Sequence, residues 1–240
     1  MPGIAASAKT STPGISVVFP CHNEAENIRA VIADARKHLR GLTETYELII
    51  VDDGSTDDTA HQAQEVADSD SRITIARQPI NLGYGHALRR GFATARMPLV
   101  CYVDGDGQFS LVDLPNLVDA LGEHEFVLGF RIRRADPAHR TRNARLWQIF
   151  VHLVLGFDVR DLDCGFKLFR REALHGIELM AGRGAVISAE LIAKLLRSGN
   201  TFAEVGVHHY PRLAGEQSGN SPKVVLNSFI DIIRLRWQLR

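Results

Sequence analysis

The sequence is poor in several features that mark whole classes of protein. Its 240 residues include only 3 cysteines, whose spacing suggests no pairs, and this is typical of a reducing compartment. The longest nearly apolar stretch, LWQIFVHLVLGF, is far shorter than the roughly 20 residues that a membrane-spanning helix needs. Residues 1–14 lack the apolar core of a signal peptide, and we expect them to be flexible. These absences favour a cytoplasmic protein whose membrane contact is at most peripheral.

The chain also has no net charge, which argues against a general nucleic-acid-binding protein. The two halves of the chain nevertheless carry opposite net charges. Residues 1–130 carry 10 Lys/Arg and 18 Asp/Glu, whereas residues 131–240 carry 18 and 10. An acidic half facing a basic half suits a site that binds a cation on one side and anionic groups on the other. Chance clustering of solvated charges stays open as the alternative.

Short apolar runs alternate with helical patterns through the first half of the chain. The runs ISVVF, ELIIV, RITIAR, LVCYV and FVLGFR are typical of buried strands. Strands that are almost continuously apolar predict an α/β fold with a mostly parallel, Rossmann-like sheet and helices on both faces. Pro20 is expected to end the first strand, and Asn23 with Glu26 predicts a capping box for the helix that follows.

The second half shows a looser pattern. Residues 131–145 are rich in arginine and predict a basic loop, which is followed by a helix from Leu146. ISAELIAKLLRSG predicts another helix, with Gly199 as its C-cap. TFAEVGVHHY alternates as a strand does, and its two histidines are expected to be structural more than metal-binding. The tail predicts an amphipathic helix whose apolar residues lie among arginines: Val225, Phe229, Ile232, Ile233 and Trp237.

Polar clusters follow three of the predicted strands: PCHNE, DDGSTD and DGDGQ. Ligands of open parallel sheets bind beyond the carboxyl ends of the strands. The three clusters therefore predict one binding site at that edge of the sheet.

The last cluster places oxygen-bearing side chains at every second position. Side chains two apart in an extended segment point the same way, so Asp104, Asp106 and Gln108 can converge on one point, with Gly105 and Gly107 giving a ligand access to the backbone. Such ligands suit Mg²⁺ or Mn²⁺. An EF-hand is excluded because its sixth and twelfth positions would be Phe109 and Pro115. An ordinary surface turn stays open.

The middle cluster begins with Asp52 and Asp53, two carboxylates that leave a buried strand together. Such a pair is unfavourable unless donors or a cation meet it, and sugar hydroxyls and base N–H groups are such donors. The residues that follow, 55–57, have the composition of an ordinary helix N-cap.

Together, VVFPCHNEAENI, LIIVDDGSTDDT, NLGYGHAL, YVDGDGQF and DCGFKLFRREAL resemble the family-2 glycosyltransferases of the GT-A fold, over roughly residues 15–215. The chain looks most like the polyprenyl-phosphate (dolichyl-phosphate) sugar synthases. The resemblance implies a single GT-A domain, with a nucleotide-sugar half in residues 15–130 and an acceptor half in residues 131–215. A closing loop and an amphipathic helix would follow in residues 216–240.

The resemblance also implies roles for individual residues. Asp104, Asp106 and Gln108 match the positions that bind a divalent metal, Mg²⁺ or Mn²⁺. Arg131 matches a basic residue that meets phosphate in the acceptor region, and Arg212 an arginine on the loop that closes over the donor diphosphate. The full nucleotide-sugar set comprises Pro20, His22, Glu24, Val51, Asp52, Asp53, Gly85, Asp104, Gly105, Asp106, Arg131, Arg212, Ser218 and Lys223. The last two are spaced more widely than in the family pattern.

The implied reaction is an inverting transfer of one sugar, from GDP-mannose or a UDP-hexose, to a polyprenyl phosphate. A lipid phosphate is already an anion and needs no general base, and the one candidate base, Glu190, could equally be a solvated helix residue. The Q-x-x-R-W motif of processive synthases is missing, because Ile233 stands where Gln would be. Transfer to a glycan or small-molecule hydroxyl, and a silent nucleotide-sugar-binding module, remain alternatives. A dehydrogenase is disfavoured because PCHNE replaces G-x-G-x-x-G.

The basic segment 131–145 and the arginine-rich tail suit an anionic lipid headgroup on the cytoplasmic face of a membrane. Packing of the tail helix on the domain or on a partner subunit, as in a homodimer, is the alternative.

Overall fold

The computed structural model describes residues 12–133, 138–180, 186–212, 214 and 222–239, with side chains described in these ranges except at 138–141 and 222–226. Seven strands are present in this part of the chain: β1 (Ile15–Cys21), β2 (Tyr46–Asp52), β3 (Ile73–Arg77), β4 (Leu99–Val103), β5 (Phe126–Arg131), β6 (Phe166–Arg170) and β7 (Phe202–Val207). The helices are α1 (Ile28–Leu42), α2 (Thr59–Ala67), α3 (Tyr84–Thr94), α4 (Leu114–Leu121), α5 (Ala138–Leu155), α6 (Val186–Arg197) and α7 (Pro222–Gln238).

The strands form one sheet in the order β3-β2-β1-β4-β6-β5-β7. The pairs β1–β2, β1–β4, β2–β3 and β5–β7 are parallel, and β6 runs antiparallel to both β4 and β5. The prediction of a mostly parallel α/β sheet is therefore confirmed. The reversal at β6 brings the turn before this strand to the carboxyl end of β4, beside the D-x-D segment.

Two apolar layers cover the sheet, one on each face. Alternate residues of β1 enter different layers, since Val17 and Phe19 pack with α1, α2 and α4, whereas Val18 packs with α3, α5, α6 and α7. Burial of the strands on both faces explains why their sequences are almost continuously apolar. Of the helices that the structure describes, none is long and apolar enough to cross a membrane.

The first strand is longer than predicted. Pro20 does not end β1 but lies within it, opposite Val51 of β2. The register with β4 involves only Ile15 to Val18, so the missing N–H of Pro20 breaks no hydrogen bond on that side. The prediction that proline ends the strand is wrong because β1 continues along β2 beyond the last residue that it pairs with β4.

Two helix boundaries also differ from expectation. Helix α1 begins at Ile28 after Asn27, which makes no side-chain cap hydrogen bond, so the predicted Asn23–Glu26 capping box does not form. Helix α5 already begins at Ala138, so the expected loop up to residue 145 is helical over its second half. The sequence contains no proline or glycine between residues 138 and 155, and nothing there interrupts a helix. Gly199 has φ of 82° after α6, as a C-cap glycine requires.

Candidate active site

The carboxyl ends of β1, β2 and β4 meet at one edge of the sheet and bring three acidic side chains together. We call Glu24, Asp104 and Asp106 the acidic cluster. Glu24 follows β1, and the other two follow β4, its parallel neighbour. The side chain of Arg212 enters the cluster from the segment after β7. The structure thus joins residues from three distant parts of the sequence.

Asp104 is the most strongly perturbed member of the acidic cluster. Its Oδ1 accepts a 2.7 Å hydrogen bond from the hydroxyl of Tyr84, and its backbone N–H donates to the carbonyl of Gly165 at 3.0 Å. Burial, together with the charge of Asp106, raises the pKa of Asp104 from 3.8 to about 7. A carboxylate held in such surroundings is stabilised by a bound cation.

The segment from Asp106 to Gln108 is tied to the chain before Arg212. The Gln108 backbone N–H donates to Asp106 Oδ1 at 3.1 Å. Gln108 Nε2 donates to the Tyr210 carbonyl at 3.1 Å, and the Tyr210 N–H returns a 2.8 Å hydrogen bond to the Gln108 carbonyl. The carboxamide of Gln108 therefore links the D-x-D segment to the C-terminal segment.

Arg212 lies between two members of the acidic cluster. It contacts Glu24 Oε1 through Nη2, and its Nη1 is 3.7 Å from Asp106 Oδ2. Burial raises the pKa of Glu24, and the hydrogen bonds from Asn27 and Arg212 oppose that rise. The guanidinium supplies positive charge at the point where the resemblance expects a donor diphosphate.

The Asp53 carboxylate binds the loop between β3 and α3. Its Oδ1 accepts from Gln78 Nε2 at 3.0 Å and from the Leu82 N–H at 2.8 Å, and its Oδ2 accepts from the Gly83 N–H at 2.8 Å. His22 Nδ1 lies 2.9 Å from the carbonyl oxygen of the same aspartate. The side chain of Asp53 is thus committed to two backbone donors and one side-chain donor, and any part it plays in nucleotide binding involves shaping this loop.

Asp52, the last residue of β2, is fully buried and paired with Arg77. Its Oδ1 accepts from the Ser55 N–H at 3.0 Å. Its buried Oδ2 accepts no hydrogen bond, although Arg77 Nε lies 3.3 Å away in an ion pair. The Asp52 carboxylate is therefore held by partners within the protein.

The loops after β1 and β2 interlock through polar groups. Asn23 has φ of 57°, its N–H donates to Ser55 Oγ at 3.0 Å, and its Oδ1 accepts from the Thr56 N–H at 2.8 Å. Asp57 accepts from the Ala25 N–H at 3.1 Å and from the Thr59 N–H at 3.0 Å. The expected N-cap role of residues 55–57 is therefore only partly correct, because α2 is preceded by Asp58 and two of the three side chains bind Asn23.

Close backbone packing explains Gly105 better than ligand access does. A Cβ at this position would lie 2.4 Å from Cys21 Sγ, so the glycine lets the end of β4 approach the end of β1. Burial raises the pKa of the Cys21 thiol, which stays protonated. Pro20 and Val51 are buried strand residues, and Gly85 is buried in the first turn of α3.

Arg131 and Glu190 both have strong partners within the protein. Arg131 Nε and Nη2 donate to the Asp161 carboxylate at 2.6 and 2.7 Å. Glu190 is 1% exposed, so it is not a solvated helix residue. Its Oε1 accepts from the Met180 N–H at 2.8 Å and from Lys194 Nζ at 2.6 Å. The Glu190 carboxylate is therefore engaged by partners within the protein.

Four residues singled out in the sequence remain: Ser218, Lys223, His208 and His209. Ser218 lies outside the described residues, and Lys223 is in the first turn of α7, with a side chain outside the described set. His208 follows β7, and its ring and N–H contact the Asp113 carboxylate at 2.9 and 2.7 Å. His209 packs edge-on against Phe109, with 5.1 Å between ring centroids. Both histidines make structural contacts here.

The donor set fits a divalent cation that shares its coordination sphere with a ligand. No group of three or more His, Cys, Asp or Glu residues that could hold a metal occurs among the described residues. Mg²⁺ commonly binds through one or two carboxylates, with waters and substrate phosphates completing the shell. Asp104 and Asp106 supply such a pair, and the raised pKa of Asp104 shows that its surroundings favour a neutralising partner.

Sequence reasoning missed several residues that position the site. Tyr84 binds Asp104 from the loop NLGYGHAL, and Gly165 packs directly on the same carboxylate, since a Cβ there would lie 1.9 Å from Asp104 Oδ2. Lys167 is fully buried beneath them. A lysine inside the apolar run FKLF was the one available signal for this group.

Comparison with known proteins gives the family of the chain. A family model described as glycosyl transferase family 2 matches residues 16–177. The chain belongs to glycosyl transferase family 2. Glycosyltransferase AglD of Haloferax volcanii is 31% identical over 98% of this chain and 39% of its own length. A dolichyl-phosphate beta-glucosyltransferase of Trichomonas vaginalis is 31% identical over 66% of this chain and 54% of its own.

A third relative of this glycosyltransferase is an undecaprenyl-phosphate 4-deoxy-4-formamido-L-arabinose transferase of Yersinia pestis, 29% identical over 91% of this chain and 66% of its own. The chain thus spans between two fifths and two thirds of the length of these curated relatives.

Among solved structures, glucosyl-3-phosphoglycerate synthase of Mycobacterium tuberculosis, in complex with phosphoglyceric acid, has a TM-score of 0.68 and 26% identity, covering 95% of this chain and 80% of that one. The same enzyme, with Mn²⁺, UDP and phosphoglyceric acid, has a TM-score of 0.68 and 25% identity over 95% and 78%. The expected GT-A fold and family are confirmed.

Proposed function

We propose that this glycosyltransferase moves one sugar from a nucleotide-sugar, GDP-mannose or a UDP-hexose, to a polyprenyl phosphate, with inversion and with Mg²⁺ or Mn²⁺ as cofactor. The observation that carries the proposal is the acidic cluster at the carboxyl edge of the sheet, in which Asp104 lies beside Asp106 and Arg212 pairs with Glu24 and Asp106. The named activities of the curated relatives supply the acceptor class. The solved structures with Mn²⁺ and UDP supply the cofactor class.

The residues divide the binding of the donor between them. Asp104, Asp106 and the neighbouring Gln108 would hold the metal, which supplies Lewis-acid stabilisation of the departing diphosphate. Arg212 adds a second positive charge to the same group when it leaves Glu24. The nucleoside would bind beside the loops after β1 and β2, where Asp52 pairs with Arg77 and His22 contacts the carbonyl of Asp53. Ser218 and Lys223 remain proposed donor contacts on the closing loop.

The transfer itself is a single displacement at the anomeric carbon. A phosphate oxygen of the lipid forms the new bond to this carbon while the bond to the diphosphate oxygen breaks, and the nucleoside diphosphate leaves with the electron pair. An anionic phosphate has no proton to lose, so no general base is required. This agrees with a Glu190 carboxylate that is engaged by Lys194. Arg131, fixed by Asp161, contributes a positive charge on the acceptor side.

Exposed apolar residues on α5 and α7 favour contact with a membrane. The α5–α7 face comprises apolar residues at positions i, i+3 and i+7 of each helix, all exposed: Leu146, Ile149, Leu153, Ile230, Ile233 and Trp237. The two helices pack against each other through Phe150 and Phe229, whose ring centroids are 4.7 Å apart. The predicted tail face is therefore divided, since Ile232 is buried whereas Ile233 and Trp237 are exposed.

Exposed arginines border this apolar surface: Arg142, Arg145, Arg234 and Arg236. Apolar side chains surrounded by arginines suit the interface of an anionic bilayer, where the lipid acceptor resides. We place the enzyme on the cytoplasmic leaflet. A second copy of the chain is the competing occupant of the α5–α7 face.

Sedimentation with vesicles of phosphatidylglycerol and phosphatidylcholine tests the membrane contact. We expect binding at low salt that weakens at high salt and is lost in Leu146→Asp/Leu153→Asp. Val112→Asp, which changes an exposed apolar residue in the turn before α4, serves as the control and should bind like the parent. The membrane assignment is contradicted if the parent does not bind the vesicles. It is also contradicted if light scattering shows that the parent is a dimer and the double variant a monomer.

A transfer assay with separated acceptors tests the reaction. With Mn²⁺ and radiolabelled UDP-glucose or GDP-mannose, we expect label in the lipid phase when undecaprenyl phosphate is present, and none with Asp106→Ala. The likeness to glucosyl-3-phosphoglycerate synthase favours a second candidate, a soluble phosphorylated hydroxyl acceptor. Label in phosphoglyceric acid and not in the lipid would establish that candidate. Binding of the nucleotide-sugar and Mn²⁺ without transfer to either acceptor would indicate a silent module, and absence of all binding would contradict the proposal.

A further inference from the structure

A lysine is buried in the middle of the sheet. Lys167 is 0% exposed and lies on β6, opposite Tyr102 of β4 and Leu128 of β5. An ammonium group in such surroundings loses its hydration, a penalty that only good partners offset. The partners that hold this charge therefore indicate what it does.

The ammonium closes the turn that leads into β6. Lys167 Nζ donates to the carbonyl of Leu162 at 3.2 Å and to the carbonyl of Cys164. It also lies 5.3 Å from the centre of the Tyr102 ring, within cation–π range. Two main-chain carbonyls and an aromatic ring thus surround the group, and the turn formed by residues 161–165, which we call the β6 turn, is bound to the sheet beneath it.

The β6 turn contacts both sides of the active site. At one end, the Gly165 carbonyl accepts the 3.0 Å hydrogen bond from the Asp104 N–H. At the other end, the Asp161 carboxylate binds Arg131 through Nε and Nη2 and accepts the Arg131 N–H at 3.2 Å. The turn therefore sets the separation between the metal-side carboxylate and the acceptor-side guanidinium.

We propose that Lys167 is a positioning residue for glycosyl transfer: its buried ammonium holds the β6 turn so that Asp104 and Arg131 keep the spacing that the displacement requires. This inference rests on the proposed function and adds a residue to it that touches neither substrate. Without the ammonium, the Leu162 and Cys164 carbonyls lose their donor, and both ends of the turn are free to shift. A misplacement of about 1 Å in an active site lowers the rate by about 100-fold.

The test compares Lys167→Met, which keeps the length without the donors, with Lys167→Arg, which keeps the charge in a different shape. We expect kcat at saturating donor to fall about 100-fold in Lys167→Met and about tenfold in Lys167→Arg. Mn²⁺ dissociation constants, measured by electron paramagnetic resonance without substrate, should rise in the same order. Leu168→Val, in the adjacent buried position whose side chain enters the other core layer, controls for lost stability.

The control should keep the Mn²⁺ affinity and kcat of the parent per folded molecule. Parent-like values in Lys167→Met, or equal losses in Leu168→Val, overturn the proposal. If Lys167→Met does not fold, parent-like values in Lys167→Arg overturn it instead. A parent enzyme that binds Mn²⁺ and UDP but transfers nothing to a lipid phosphate refutes the proposed acceptor, whereas the Mn²⁺ measurement still decides the role of Lys167.

Discussion

A single methyl group at Gly165 tests the position of Asp104. An ideal Cβ at this residue lies 1.9 Å from Asp104 Oδ2 and 2.7 Å from Oδ1, whereas real Cβ atoms do not approach other atoms within 3.0 Å. The φ angle of Gly165 is not among the positive ones, so alanine introduces no backbone strain. Gly165→Ala must therefore move the carboxylate by about 1 Å, the shortfall between these distances.

We expect a misplacement of this size to lower kcat/KM about 100-fold, which corresponds to about 2.7 kcal/mol of lost transition-state stabilisation. The affinity for Mn²⁺ should fall as well, because Asp104 is one of the two carboxylates that we propose as its ligands. Folding stability should change less, since alanine in place of glycine restricts the unfolded chain and contributes about 0.4–1 kcal/mol in the opposite direction.

Steady-state transfer kinetics and calorimetric Mn²⁺ titration measure the two effects. Gly41→Ala is the matched control, because a Cβ there meets nothing within 4 Å in helix α1; it should be slightly more stable and fully active. A Gly165→Ala enzyme with the kinetics and Mn²⁺ affinity of the parent would refute the reasoning, since Asp104 would then tolerate displacement.

Three further changes follow from contacts of the site. Asp53→Asn leaves the N–H groups of Leu82 and Gly83 without full acceptors, so stability should fall by about 1–3 kcal/mol in urea unfolding; an unchanged midpoint contradicts this. Arg212→Gln removes the cation between Glu24 and Asp106, so Mn²⁺ alone should bind more tightly and nucleoside diphosphate more weakly by calorimetry; parallel changes in both affinities contradict it. The pKa of Asp104 is raised to about 7, so the stabilisation that this group gives the metal-free protein is complete below pH 3.8 and is lost as pH rises through 7. Melting curves should show this loss, and saturating Mn²⁺ should reverse it at neutral pH; melting curves that Mn²⁺ leaves unchanged contradict it.

The sequence was sufficient for the fold class because burial on both faces leaves a direct mark on composition. Strands such as β2 are apolar at nearly every position, and the polar clusters stand where parallel strands end. Those two regularities locate the site at one edge of the sheet before any contact is known.

The contacts that complete the site could not be read in the same way, because their partners are distant in sequence. Asn23 resembles a helix cap locally, yet its side chain binds Thr56, 33 residues away. Arg131 looks like a free basic residue until β5 and the β6 turn bring Asp161 beside it. Asp53 looks like a ligand-binding carboxylate, but in the structure it accepts a hydrogen bond from the Gly83 N–H in the loop before α3. Each case depends on chain crossings that a local pattern does not record.

The most direct test of the whole account is an anomalous-diffraction map at the manganese edge, from crystals soaked with Mn²⁺ and UDP or GDP. We predict one strong peak between the carboxylates of Asp104 and Asp106, bridged to the nucleotide diphosphate, with the Arg212 side chain turned to the same phosphates. A nucleotide bound elsewhere, or a manganese peak away from both aspartates, contradicts the account.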